Sequence, residues 1–206
     1  MDKYSYICKI ILFFLLFYPQ SSFPQDQESD LGADANYLIF IVDLSGGMVQ
    51  FSREKMINQL MATIASYPDL KGIQIMSDMG SHMLPQYQHK WIPNTPGQRE
   101  IIEANLHTWI NFSNSSPHEG LMRALRFYYD PKKIINIYVF GDDFAGETSA
   151  DEVIASIEAM YPDDDINKNL NINAVLFASE KIENRNFENV MRAVTKKYGG
   201  TFVIRK

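Results

Sequence analysis

Two apolar runs that each lead to a carboxylate constrain this chain more than anything else in it. Tyr37 to Val42 (YLIFIV) is apolar without a break and stops at Asp43, and Ile134 to Phe140 (IINIYVF), nearly as apolar, leads to Asp142. A strand with one face in water alternates apolar and polar residues. A strand that is apolar throughout is buried on both faces, as the central strands of a parallel sheet are. Gly72 to Met76, Leu170 to Phe177 and Thr201 to Ile204 read as further strands. Gly80-Ser81 reads as a turn into a short strand near His82 to Leu84. From Ser52 to Tyr67, apolar residues at Met56, Ile57, Leu60, Met61, Ile64 and Ala65 repeat at helical spacing, with Ser52 placed to cap the helix. Gln98 to Ile110, Glu119 to Tyr129, Ser149 to Met160 and Phe187 to Tyr198 also read as helices. Ser149 and Glu152 have the spacing of a capping box. This alternation predicts an α/β fold: a Rossmann-like, doubly wound, mostly parallel central sheet, with one short antiparallel edge strand and helices on both faces. In such sheets ligands bind beyond the carboxyl ends of the strands, where Asp43 and Asp142 both fall.

The ends of the chain and its charge narrow the classes of function. Ile10 to Tyr18 (IILFFLLFY) is an apolar run flanked by Lys3 and Lys9, too short to span a bilayer comfortably but suited to a signal-peptide core. Residues 1–24 are expected to act as an export signal or, since no clear A-x-A cleavage pattern follows, as an uncleaved membrane anchor. The polar stretch 25–36 is expected to be a linker, and 37–206 one domain. These expectations place the domain outside the cytoplasm. The single cysteine, Cys8, lies inside the leader, so the domain has no disulfide, thiol nucleophile or cysteine metal site. With a formal net charge of -6 the chain has no basic patch for a phosphate backbone, and no nucleic-acid partner is expected.

The residues after the first strand carry the chemistry. Asp43-Leu44-Ser45-Gly46-Gly47-Met48 puts a carboxylate and a hydroxyl in one short turn. Asn114-Ser115-Ser116-Pro117-His118-Glu119-Gly120-Leu121 precedes a helix with a run of hydroxyls. Val139-Phe140-Gly141-Asp142-Asp143 closes a buried strand with two carboxylates, and Tyr198-Gly199-Gly200-Thr201-Phe202-Val203 joins a last helix to a last strand. In this order and spacing the four segments resemble the von Willebrand factor type A family. Its D-x-S-x-S loop, hydroxyl loop and late aspartate make up a metal-ion-dependent adhesion site. The resemblance implies a cation, Mg2+, held by Asp43, Ser45, Ser115 and Asp142. Ser116 is the alternative to Ser115 shifted by one residue. It further implies a protein partner that offers a carboxylate to the metal, and no enzymatic activity. Gly47 stands where the family has its second serine, so one ligating hydroxyl is missing. Gly141 and Asp143 replace the threonine and glycine around the late aspartate. A hard cation that retains waters tolerates such a loss.

Two other functions have to be weighed. Asp43 and Gly141-Asp142-Asp143 also resemble parts of the haloacid dehalogenase phosphatases, but Ser45 stands where that family has its general acid. A metal-free scaffold in an envelope assembly would use the same fold without the site. Weaker signals carry less. Asp163-Asp164-Asp165 lacks the glycine and glutamate of a calcium loop. His82, His89, His107 and His118 show no ligand spacing. His118 lies beside the site loop. Tyr87, Trp91, Ile92 and Pro93 fit either a binding rim or packing at the sheet edge. Asn111-Phe112-Ser113 and Asn114-Ser115-Ser116 match glycosylation sequons.

Overall fold

The structure is a computed structural model, and it describes residues 37–143, 148–162, 166–178 and 186–206. The proposed leader (1–24), the linker (25–36) and the Asp163–Asp165 loop lie outside the described residues.

Six strands form one sheet: β1 (Tyr37–Val42), β2 (Gly72–Ser77), β3 (Ile92–Pro93), β4 (Ile135–Gly141), β5 (Leu170–Phe177) and β6 (Phe202–Arg205). Their spatial order is β3-β2-β1-β4-β5-β6. All neighbours run parallel except β2 and β3, which are antiparallel. Five helices connect them: α1 (Arg53–Ala65), α2 (Pro96–Thr108), α3 (Pro117–Tyr128), α4 (Ala150–Met160) and α5 (Asn186–Lys197).

The side chains of β1 alternate between two cores, as the period of a strand requires. Leu38, Phe40 and Val42 join Met56, Ile57, Leu60 and Ile64 of α1 and Ile102 and Leu106 of α2. Ile39 and Ile41 join Leu121 and Leu125 of α3, Val153 and Ile157 of α4, and Val190 and Val194 of α5. Every residue of β1 from Leu38 to Val42 is buried, which is why its sequence shows no polar alternation. The α/β, doubly wound reading therefore holds, down to the single antiparallel edge strand.

Two local expectations are corrected. The antiparallel edge strand is Ile92–Pro93, and His82 makes only an isolated antiparallel bridge with Met76. Gln74, buried in β2, secures the intervening segment by donating from Nε2 to the carbonyls of Tyr87 (3.0 Å) and Lys90 (2.8 Å) and to the Tyr128 hydroxyl (2.8 Å). Trp91 packs against Tyr37 and Tyr128, with ring centroids 4.5 and 5.0 Å apart, so that aromatic stretch serves the sheet edge. Ser52 makes no capping hydrogen bond, because the chain is already coiled ahead of α1 in a π-helical turn, Met48–Ser52. The capping box at Ser149 and Glu152 is present as expected.

Candidate functional site

β1 lies between β2 and β4, and the three strands end together. Val42 pairs with Ser77 on one side and Phe140 on the other. One residue further, the Asp78 N–H donates to the Val42 carbonyl and the Asp43 N–H to the Phe140 carbonyl, both at 2.9 Å. Register therefore delivers Asp43 and Asp78 side by side, with Asp142 one step beyond Gly141. The chain reverses its direction of winding at β1, so this is also the switch point of the sheet.

Of the residues singled out from sequence, Asp43, Ser45 and Asp142 meet here. The Asp43 Oδ1 accepts the Ser45 N–H at 2.7 Å, and Asp142 is near enough for its charge to act on the Asp43 carboxyl. The hydroxyl that reaches the pocket from the second loop is that of Ser113. Its Oγ lies 2.9 Å from Asp43 Oδ1 and 2.9 Å from Asp78 Oδ2. Ser115 contributes its backbone, donating its N–H to Ser113 Oγ at 3.2 Å, while the Ser116 N–H donates to Asp78 Oδ2 at 3.1 Å. Ser115 holds a left-handed conformation (φ 53°), which costs a residue with a Cβ about 1–2 kcal/mol. That kink turns successive N–H groups inward, and strain of this kind collects at functional sites.

Asp78 was not foreseen. It follows Gly72–Ser77 as Asp43 follows Tyr37–Val42. A buried strand ending in a carboxylate was the available signal, but β2, six residues long like β1, carries a polar Gln74.

The electrostatics are unfavourable as they stand. Asp43 is 1% exposed and Asp78 fully buried. Burial pushes both carboxyls above the usual carboxylate range, and neighbouring charge adds to it, Asp142 acting on Asp43 and Asp43 on Asp78. The Ser113 hydroxyl and nearby backbone N–H groups only partly offset this. Asp142 is raised by burial and then by Asp143. One oxygen of each buried carboxylate, Asp43 Oδ2 and Asp78 Oδ1, has no hydrogen-bond partner. Ser113 has one hydroxyl proton for two carboxylates. An orphaned buried acceptor costs about 1–3 kcal/mol, so the cluster is short of positive charge. Hard cations take oxygen donors of this type. Among the described residues no group of three or more His, Cys, Asp and Glu side chains forms a metal cage by itself, and serine hydroxyls and water would have to complete a cation's shell. His118 stands at the start of α3 with its Nε2 buried and unpartnered. Burial lowers its pKa, opposed by Glu152 and Glu119.

Gly47 has a structural reason for lacking a side chain. A Cβ there would lie 2.8 Å from Asp142 Oδ2, a contact that only the swing of the carboxylate could relieve. We expect Gly47→Ser to cost about 1 kcal/mol in the metal-free protein and almost nothing when Asp142 is alanine. A double-mutant cycle by urea denaturation measures that coupling. Equal costs in both backgrounds would mean that Asp142 does not occupy this space.

No family model matches the sequence, and no curated protein matches it. Fold comparison does find matches. The chain is similar to proximal thread matrix protein 1 from the mussel byssus in two crystal structures. One gives a TM-score of 0.56 at 11% identity, covering 84% of this chain and 42% of that one. The other, described as having a zinc-occupied MIDAS motif, gives 0.55 at 10% identity over the same shares. This chain thus spans less than half the length of the protein it matches, and at such identity the likeness establishes the fold, which is von Willebrand factor type A-like.

Proposed function

We propose that this chain is an exported protein-binding module. On this reading it holds a divalent cation, Mg2+ or one of similar size, at the carboxyl edge of its sheet, and it is not an enzyme. The observation that carries the reading is the pair of unpartnered, buried carboxylate oxygens, Asp43 Oδ2 and Asp78 Oδ1, beside a third carboxylate, Asp142. Asp43, Asp142 and Ser45 would hold the ion, and Asp78 and Ser113 would supply the oxygen character that Gly47 lacks. Bound there, the cation would offer an open coordination position to a carboxylate oxygen of a partner protein. The chain's own groups fix the geometry: the Ser45 N–H orients Asp43, Ser116 and Ser113 orient Asp78, and the strained Ser115 sets the loop. The zinc-occupied MIDAS motif of the mussel protein supports a divalent cation as a ligand for a protein of this fold. Export rests on the apolar run Ile10 to Tyr18. No helix among the described residues is long and apolar enough to cross a membrane.

Calorimetric titration with Mg2+ and Mn2+ tests the reading. We expect binding heat from the wild type, about a tenfold loss of affinity in Ser113→Ala, and affinity within about twofold of wild type in Ser115→Gly, because only the first removes an oriented hydroxyl. Absence of heat with either ion would leave a metal-free scaffold as the function. Mg2+-dependent turnover of an aryl phosphate, lost in Asp43→Asn, would instead make the protein a phosphatase.

A further inference from the structure

The last residue of α3, Tyr128, ties three parts of the molecule together, at the opposite end of the helix from the acidic pocket. Its hydroxyl oxygen faces Gln74 Nε2 of β2 at 2.8 Å and the backbone N–H of His89 at 3.1 Å. It lies 2.7 Å from His82 Nε2. Both histidines belong to the segment between β2 and β3. A phenol has one hydrogen to give and two lone pairs to receive with. The N–H groups of Gln74 and His89 can only donate. The Gln74 amide is fixed in orientation, because its oxygen accepts the Ile75 N–H at 3.0 Å. Gln74 spreads two hydrogens over the Tyr128 oxygen and the carbonyls of Tyr87 and Lys90, and even a shared bond occupies that side of the phenol. The Tyr128 hydrogen therefore needs an acceptor elsewhere. The Tyr87 carbonyl is 3.5 Å away, beyond the ordinary length of an O–H···O bond. His82 Nε2 is the acceptor, which puts the imidazole hydrogen on Nδ1 and leaves the ring neutral. Protonating Nε2 would bring a third N–H to an oxygen that already faces two, and would turn the phenol hydrogen towards a carbonyl too far to take it.

The groups around His82 do not favour a positive charge. On its own segment the His89 ring stands 6.1 Å away, centroid to centroid. α3 presents Phe127 at 6.4 Å and Tyr128 at 5.9 Å. β2 presents the uncharged Gln74 and Met76, which bridges to His82. Arg123 of α3 lies against Gly80 and is paired with Glu119 at 2.9 Å. Lys90 and Arg126, next in sequence to His89 and Phe127, are exposed cations. Burial, and then His89, hold the His82 pKa below the ordinary histidine value. His89 also has a left-handed backbone (φ 58°), a strain that release of the segment would relieve. At its far end the segment is held to the sheet through the two short pairings of β3, Gly72 with Pro93 and Ile73 with Ile92.

We infer that His82 is an acid-sensitive latch on this sheet edge: its protonation breaks the hold of Tyr128 on residues 82–91 and frees them from α3, leaving β2 as the exposed edge. The device is independent of the cation reading of the pocket. It works in the range where histidine titrates. The folded-state value is lowered, so the stability that His82 contributes is fully present above its ordinary value of 6.5. That stability is lost as pH falls through the folded-state value. The bared edge of β2 carries backbone N–H and C=O groups of the kind another strand can pair with.

Amide hydrogen exchange on the full chain, read by mass spectrometry, tests the latch. Corrected for the intrinsic effect of pH, exchange of residues 82–91 should quicken about tenfold between about pH 7 and about pH 5 in the wild type, while β4 keeps its protection. His82→Gln offers Tyr128 an acceptor that does not titrate, and should abolish that acceleration. Tyr128→Phe should leave the segment quick to exchange at both pH values. NMR of the imidazole nitrogens needs no variant: in the wild type at neutral pH, His82 should carry its hydrogen on Nδ1. A hydrogen on Nε2 instead, or a segment equally protected at both pH values, overturns the latch. So does an acid acceleration that survives in His82→Gln or spreads equally over β4.

Discussion

Gly120→Ala is expected to destabilise the protein by about 3 kcal/mol, at the upper end of what overpacking costs, and to lower the melting temperature by about 6–12 °C for a chain of this size. Gly120 lies in the first turn of α3. Its N–H donates to the Asp78 carbonyl at 2.7 Å. A Cβ there would meet the carbonyl oxygens of Ser77 and Asp78, each at 2.7 Å, and the Asp78 carbonyl carbon at 3.0 Å. These are backbone atoms at a strand end, which cannot swing aside as a side chain can, so the helix itself must retreat. Alanine is intrinsically the better helix former by about 1 kcal/mol, which makes the sign a clear test. Gly97→Ala in α2, where a Cβ meets nothing within 4 Å, should be neutral or slightly stabilising. Retreat of α3 also pulls Ser113 and the Ser116 N–H away from Asp78, so cation affinity should fall with stability. Thermal denaturation of both variants decides it, and a Gly120→Ala protein as stable as wild type would mean that α3 does not approach β2 this closely.

The second large effect is expected at Asp43, and it has opposite signs with and without metal. Asp43→Asn should stabilise the metal-free protein at neutral pH by about 1–3 kcal/mol, the cost of an unsatisfied buried acceptor. The amide keeps an oxygen for the Ser45 N–H and gains a donor to face Asp142. The same change should remove cation binding. In the wild type, Mg2+ at a hundredfold above its dissociation constant should add about 2.7 kcal/mol, and in Asp43→Asn nothing. The pH dependence follows from the raised carboxyls of Asp43, Asp78 and Asp142. In the folded state they keep protons that the unfolded chain releases from about pH 4 upward. The stability these three groups contribute to the metal-free protein is therefore fully present below that pH and is lost as pH rises through the folded-state values. Cations compete with those protons, so their affinity should rise with pH over the same window. Asp43→Asn should flatten the metal-free profile. A wild-type protein whose stability relative to Asp43→Asn, without metal, rises between pH 4 and 7 would contradict a buried cluster of unpaired carboxylates.

How much could be read in advance varied with the range of the interaction. The helix α4 was legible because its signal is local: Ser149 and Glu152 satisfy each other three residues apart. β1 and β4 were legible because burial on both faces leaves no room for polar alternation. The edge strand was misplaced because its position is set by a distant residue. Gln74 draws in the carbonyls of Tyr87 and Lys90, and pairing then falls at Ile92–Pro93 rather than near His82. The second loop was harder still. Counting from Glu119-Gly120-Leu121 singled out Ser115, yet a left-handed residue within Asn114–Ser116 turns the chain so that Ser113 supplies the hydroxyl.

The sequence by itself determined the central strands, their burial on both faces and the carboxylates at the ends of β1 and β4, because strand burial and strand termination are written in consecutive residues. Only the tertiary structure decided that β2 runs beside β1 in the register that sets Asp78 against Asp43, that Ser113 lies between them, and that Asp142 fills the space above Gly47. Those neighbours are 35 to 95 residues apart in the chain. Nothing local specifies their meeting, which follows from the packing of α1 and α3 on opposite faces of one twisted sheet.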